Sequence, residues 1–150
     1  MFSEIIPQLY LCGALEANST YFVNNYRPKV IINVDQEPNY ILDHRIRYYH
    51  IPFEDDYEGN TIDLFHHTIR LIRKCYRQHQ RPIFLHCAAG ISRSPSLMAL
   101  YLWTYKPKTF LTLESAMNFI RSKHAVTHYH SNVLRFIHDH VISKQRRNHD

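Results

Sequence analysis

The stretch that most restricts the fold is residues 81–103, RPIFLHCAAGISRSPSLMALYLW. RPIFLHC (81–87) is near-continuously apolar, the mark of a strand covered on both faces. LMALYLW (97–103) is apolar on every side and reads as a buried central helix. Between them lies a short polar loop, Cys87–Arg93, with a helix start expected near Ser94-Pro95 and Pro95 at the first helical position. A strand buried on both faces, leading into a buried helix, calls for a sheet packed between helices.

The rest of the chain agrees. KVIINV (29–34), behind Pro28, is a second strand rich in β-branched residues, and IRYYHIPF (46–53) a third. IIPQLYL (5–11), followed by Gly13, reads as one more short strand. Ile62, Phe65, Ile69, Ile72 and Tyr76 recur at spacings of three and four, so residues 61–79 form an amphipathic helix. Thr112 caps a helix to about Lys123 with Leu113, Ala116 and Ile120 inward, and 131–142 forms a last helix behind Ser131. The expected class is α/β, a small, largely parallel sheet flanked by helices. One domain is expected over 1–143, followed by a polar tail at 144–150.

Composition removes several classes. A hydrophobic content of 45% with 21% charged residues is that of a globular chain, and no run of apolar residues is long enough to span a membrane. The start of the chain lacks the form of a signal peptide. Cys12, Cys75 and Cys87 are odd in number and widely spaced, against a disulfide framework and for a reducing compartment, cytoplasmic or nuclear. A net charge of +5 favours anionic partners: phosphorylated protein first, with RNA or acidic lipid behind it. The histidines carry no metal-ligand spacing on one helix face, so no metal or cofactor is expected.

The loop itself points to phosphate chemistry. A loop that opens a helix aims backbone N–H groups and the positive end of the helix dipole at one point. Ala88, Ala89, Gly90, Ile91 and Ser92 leave those groups accessible, and Gly90 supplies the positive φ that an anion nest needs. Arg93 adds a planar fork that matches two phosphate oxygens. Cys87 stands at the rim, where a helix N-terminus and a cation favour the nucleophilic thiolate. His86 acts through the loop, and Ser94 donates a hydrogen bond to the sulfur as it leaves.

HCAAGISRS fits H-C-x-x-G-x-x-R-[ST], and HCAAGISRSPS resembles the dual-specificity members of the cysteine-dependent protein tyrosine phosphatases. IIPQLYLCG, KVIINV, LMALYLW and TLESAMNFIRSK look like further parts of that domain in its small, atypical form. The resemblance implies a shallow pocket for phosphotyrosine, phosphoserine and phosphothreonine and a cysteinyl-phosphate intermediate on Cys87. It also implies an aspartate general acid in FEDDYEGN (53–60): Asp55 by alignment, with Asp56 as runner-up. His128-Tyr129 stands where the family often has Pro-Asn, a departure that bears on loop geometry and not on the chemistry.

Three other readings remain. The same fold serves RNA 5′-phosphatases and phosphoinositide phosphatases, though Ala88, Ala89 and Ile91 supply none of the loop lysines frequent in lipid-directed relatives. A catalytically weak phosphoprotein-binding pseudophosphatase comes from a different class, against which Cys87, Arg93 and Asp55 are all retained. Cys12 is read as packing in the first strand; in some relatives a second cysteine protects the nucleophile as a disulfide.

Overall fold

The computed structural model describes residues 1–40, 43–52 and 61–129. Five strands form one sheet: β1 (Ser3–Ile6), β2 (Leu9–Cys12), β3 (Val30–Asn33), β4 (Arg47–His50) and β5 (Ile83–His86), in the order β1-β2-β5-β3-β4. All neighbours are parallel except β1 and β2. The helices are α1 (Ala14–Ala17), α2 (Thr20–Tyr26), α3 (Thr61–Arg77), α4 (Arg93–Tyr105) and α5 (Leu113–Lys123). A mostly parallel sheet between helices is the architecture expected. The expected helix at 131–142 lies outside the described residues.

Strand alternation sorts the chain into two cores. Leu9 and Leu11, Val30 and Ile32, and Ile83 and Leu85 enter the larger one, with Phe65, Ile69 and Ile72 of α3 and Leu97, Met98 and Leu100 of α4. Cys12, Ile31 and Phe84 face the other way and pack with Ala17 and Val23 under α1 and α2. The same parity continues past β5, so His86 lies on the Phe84 side and Cys87 joins the larger core.

Two local expectations are corrected. The apolar run 5–11 is not one strand but the hairpin β1-β2, because Pro7 and Gln8 (φ 65°) turn the chain and Ile6 pairs with Leu9. Continuous apolar character hid that turn. Helix α4 begins one residue before Ser94, with Ser92 as its N-cap, so Arg93 is the first helical residue and Pro95 the third. Pro95 still lies within the first turn, where a missing N–H costs no intrahelical bond. Thr112 caps α5 as expected, its hydroxyl accepting from Ser115 N–H at 3.0 Å. Ala116 and Ile120 are buried, and Leu113 is partly so.

Phe65 is wholly inaccessible in the larger core. Its replacement by alanine is expected to destabilise the protein by about 3–5 kcal/mol. The measurement is urea unfolding, with a lower midpoint and an unchanged slope.

Candidate active site

Cys87 follows β5 directly and is 2% exposed, with its Sγ 3.3 Å from the Oγ of the fully buried Ser94 in the first turn of α4. At this distance hydroxyl and sulfur exchange a hydrogen bond. Arg93, one residue earlier, has a side chain only 11% exposed, and its Nη2 lies 3.5 Å from Asp35 Oδ1. The strand-to-helix junction therefore puts Cys87 and Ser94 in contact, with Arg93 as the first residue of α4. Asp55 and Asp56 lie outside the described residues.

The loop between them is fixed by its carbonyls. Cys87 O lies 3.0 Å from His86 Nδ1, and Ala88 O accepts from Ala14 N–H at 2.8 Å. Gly90 O accepts from His124 Nε2 at 2.8 Å, and Ile91 O from His128 N–H at 2.6 Å. In a planar trans peptide the C=O and the following N–H point in opposite directions. Holding these four carbonyls in bonds outside the loop leaves the N–H groups of Ala88, Ala89, Ile91 and Ser92 directed the opposite way, the arrangement of a candidate anion nest. Gly90 has φ +76°, and a Cβ there would lie 2.7 Å from the Cys12 carbonyl oxygen, so only glycine fits. Ala88 and Ala89 are exposed, and Ile91 is 40% exposed.

His86 is buried, and both ring nitrogens face oxygen acceptors. Asn33 Nδ2 donates to Asn39 Oδ1 at 2.9 Å, and His86 Nε2 lies 2.9 Å from that same oxygen while Nδ1 lies 3.0 Å from Cys87 O. Asn33 is itself oriented, because its Nδ2 also donates to Glu37 O and its Oδ1 accepts from Asp35 N–H. Burial pushes the His86 pKa below its ordinary value, and the Cys87 carbonyl and Asp35 oppose that shift.

Several residues of this scaffold carry no sequence signal: Ala14, Asp35, Asn39 and the backbone of His128. Asn33 gives a faint one, a polar residue closing an apolar strand. His124 is a fully buried anchor between Gly90 O and Ser3 Oγ (2.7 Å). His128-Tyr129 supports the loop despite departing from the family pair: Tyr129 is buried and donates to Met117 O at 2.8 Å. Cys12 pairs in register with His86 and lies in the smaller core, where burial pushes its thiol pKa well up. Among the described residues no group of three or more His, Cys, Asp or Glu is placed to hold a metal.

A thiol and a hydroxyl in hydrogen-bond contact at a helix start, with an arginine as the first residue of that helix, make a candidate phosphate-binding site. The model of the dual specificity phosphatase catalytic domain matches residues 9–140, and the chain belongs to that family. It is 32% identical over 123 residues to dual specificity protein phosphatase 5 of Rattus norvegicus, covering 82% of this chain and 31% of that one. With dual specificity protein phosphatase 21 of Homo sapiens it shares 31% over 110 residues, 73% of this chain and 57% of that one. The chain thus spans about a third of the former relative and just over half of the latter. Among solved structures, DUSP15 aligns over 98% of this chain and 93% of its own at a TM-score of 0.80 and 24% identity. Human DUSP28 aligns over 92% and 93% at 0.78 and 18% identity, and these two likenesses concern the fold.

Burial also holds the His124 pKa below its ordinary value, so His86 and His124 both bind protons less readily in the folded chain. An unfolded histidine titrates near about 6.5, so the unfolded chain gains protons first as pH falls. Their stabilising contribution is complete above that value and is lost as pH drops through the folded ones. The melting temperature is expected to fall from about pH 7.5 to about pH 5.5, with a smaller fall in His124→Gln. Scanning calorimetry across that range is the check.

Proposed function

We propose that this chain is a protein phosphatase that hydrolyses phosphotyrosine and phosphoserine or phosphothreonine through a cysteinyl-phosphate intermediate. The observation that supports this reading is a loop, with Cys87 at one end and Arg93 at the other, whose carbonyls at 87, 88, 90 and 91 each meet a partner outside it. The nest and Arg93 bind the phosphoryl oxygens, and the Cys87 thiolate attacks phosphorus in line with the leaving oxygen. Asp55 gives that oxygen its proton and afterwards takes one from water, which attacks the thiophosphate and releases phosphate. Ser94 donates to the sulfur as the S–P bond breaks, lowering the cost of expelling a thiolate.

The substrate class follows from the exposed part of the loop. Ala88, Ala89 and Ile91 present no cation beyond Arg93, which suits a single phosphoryl group on a protein better than a multiply charged inositol lipid. No described helix is long and apolar enough to cross a membrane. A catalytic thiol requires a reducing setting, and we place the chain in the cytoplasm or nucleus, as one catalytic domain over 1–143 with a polar tail.

Hydrolysis of an aryl phosphate is expected to vanish in Cys87→Ser and to fall at least about a hundredfold in Asp55→Ala, with phosphopeptide binding retained in the latter. Activity that survives Cys87→Ser refutes the thiolate route, and a larger loss in Asp56→Ala reassigns the acid. Comparing turnover of phosphopeptides, 5′-triphosphate RNA and inositol phospholipid vesicles tests the substrate class; faster turnover of either non-protein substrate overturns it.

A further inference from the structure

We propose that Asp35 is a positioning residue for Arg93, fixing the direction from which the guanidinium meets the phosphoryl group; this rests on the phosphatase reading above. Both side chains are about one-tenth exposed, 11% for Arg93 and 12% for Asp35, and Asp35 Oδ1 lies 3.5 Å from Arg93 Nη2. It is the only carboxylate within ion-pair distance of Arg93 among the described residues.

Asp35 is held from three sides. Its N–H donates to Asn33 Oδ1 at 2.8 Å, its carbonyl accepts from His50 Nε2 at 2.7 Å, and Oδ1 accepts from Gln36 N–H at 2.8 Å. The carboxylate is therefore a fixed point and Arg93 the mobile partner, since an arginine side chain has many rotamers to lose. A separation of 3.5 Å is longer than a well-formed N–H···O bond and marks an ionic contact that orients without saturating. A guanidinium has five N–H donors, so the contact of Nη2 with Asp35 does not by itself exclude a two-point grip on phosphate.

The same carboxylate has an opposite effect on ground-state binding. A negative charge this close to Arg93 offsets part of the attraction for a phosphate dianion. Asp35 thus trades affinity for orientation: it weakens the hold on any free anion and aligns the group that stabilises the transition state. A residue that merely supported the fold would change binding and turnover in the same direction.

The experiment compares native protein, Asp35→Asn, Arg93→Ala and the double variant, with kcat on an aryl phosphate and calorimetric affinity for inorganic phosphate as readouts. Asp35→Asn keeps the acceptor for Gln36 N–H and removes only the charge. Its kcat is expected to fall about tenfold while phosphate binds at least as tightly, and Asp35→Glu to regain part of the loss. In the Arg93→Ala background the same substitution is expected to change neither readout. Unchanged kcat in Asp35→Asn, weaker phosphate binding, or an equal effect in both backgrounds overturns the proposal. If Asp35→Asn does not fold, Asp35→Ser takes its place under the same criteria. The affinity arm reads Asp35 without turnover, so an inactive native protein would sink the phosphatase reading and leave this one decided by binding.

Discussion

Everything in the site depends on where the loop's carbonyls go. A run of backbone that must present N–H groups to an anion has to place its C=O groups elsewhere, and buried ones need partners. Three of the four partners come from distant parts of the chain, namely the start of α1, the C-cap residue of α5 and the segment after it, and the fourth is the neighbouring His86. The nest is thus a tertiary structure, not a local motif. Its cost is spread over the fold, and the loop is pre-organised before any phosphate arrives, which is where electrostatic catalysis gains its advantage.

The sheet supplies the second constraint. Consecutive residues of β5 face opposite sides, so a nucleophile after His86 must project into the α4 side while His86 projects towards the β3 turn. The histidine then reads the asparagine pair at Asn33 and Asn39, and the cysteine meets Ser94 in the first turn of α4. Arg93 opens that helix, so its backbone position is set by helix geometry and its direction by Asp35. Two layers of the domain therefore approach the phosphate from two sides.

Much of this was legible in the sequence because it is local. The loop, its glycine, its arginine and the flanking strand and helix are contiguous, and apolar runs mark β3, β5 and α4 as apolar spacing marks α3. The turn at Pro7-Gln8 was hidden because apolar residues continue through it and Gln8 is not a residue that advertises a positive φ. Asp35, Asn39 and His124 were invisible for another reason. Each acts across a gap of tens of residues, and nothing in the neighbours of a lone Asp, Asn or His says which distant carbonyl or cation it will meet. Sequence reading finds groups that are contiguous; it does not find the distant groups that hold them.

Gly13 and Ala14 lie against the outer edge of the loop, where a Cβ on Gly13 would come within 3.1 Å of the Ala88 and Ala89 carbonyl oxygens and Ala14 N–H bonds the first of them. The backbone of the two alanines is clamped from behind while their side chains stand in solvent. Identity and geometry are therefore decoupled at these positions. The outward face of the loop can be rewritten, one side chain at a time, on a backbone frame that does not register the change.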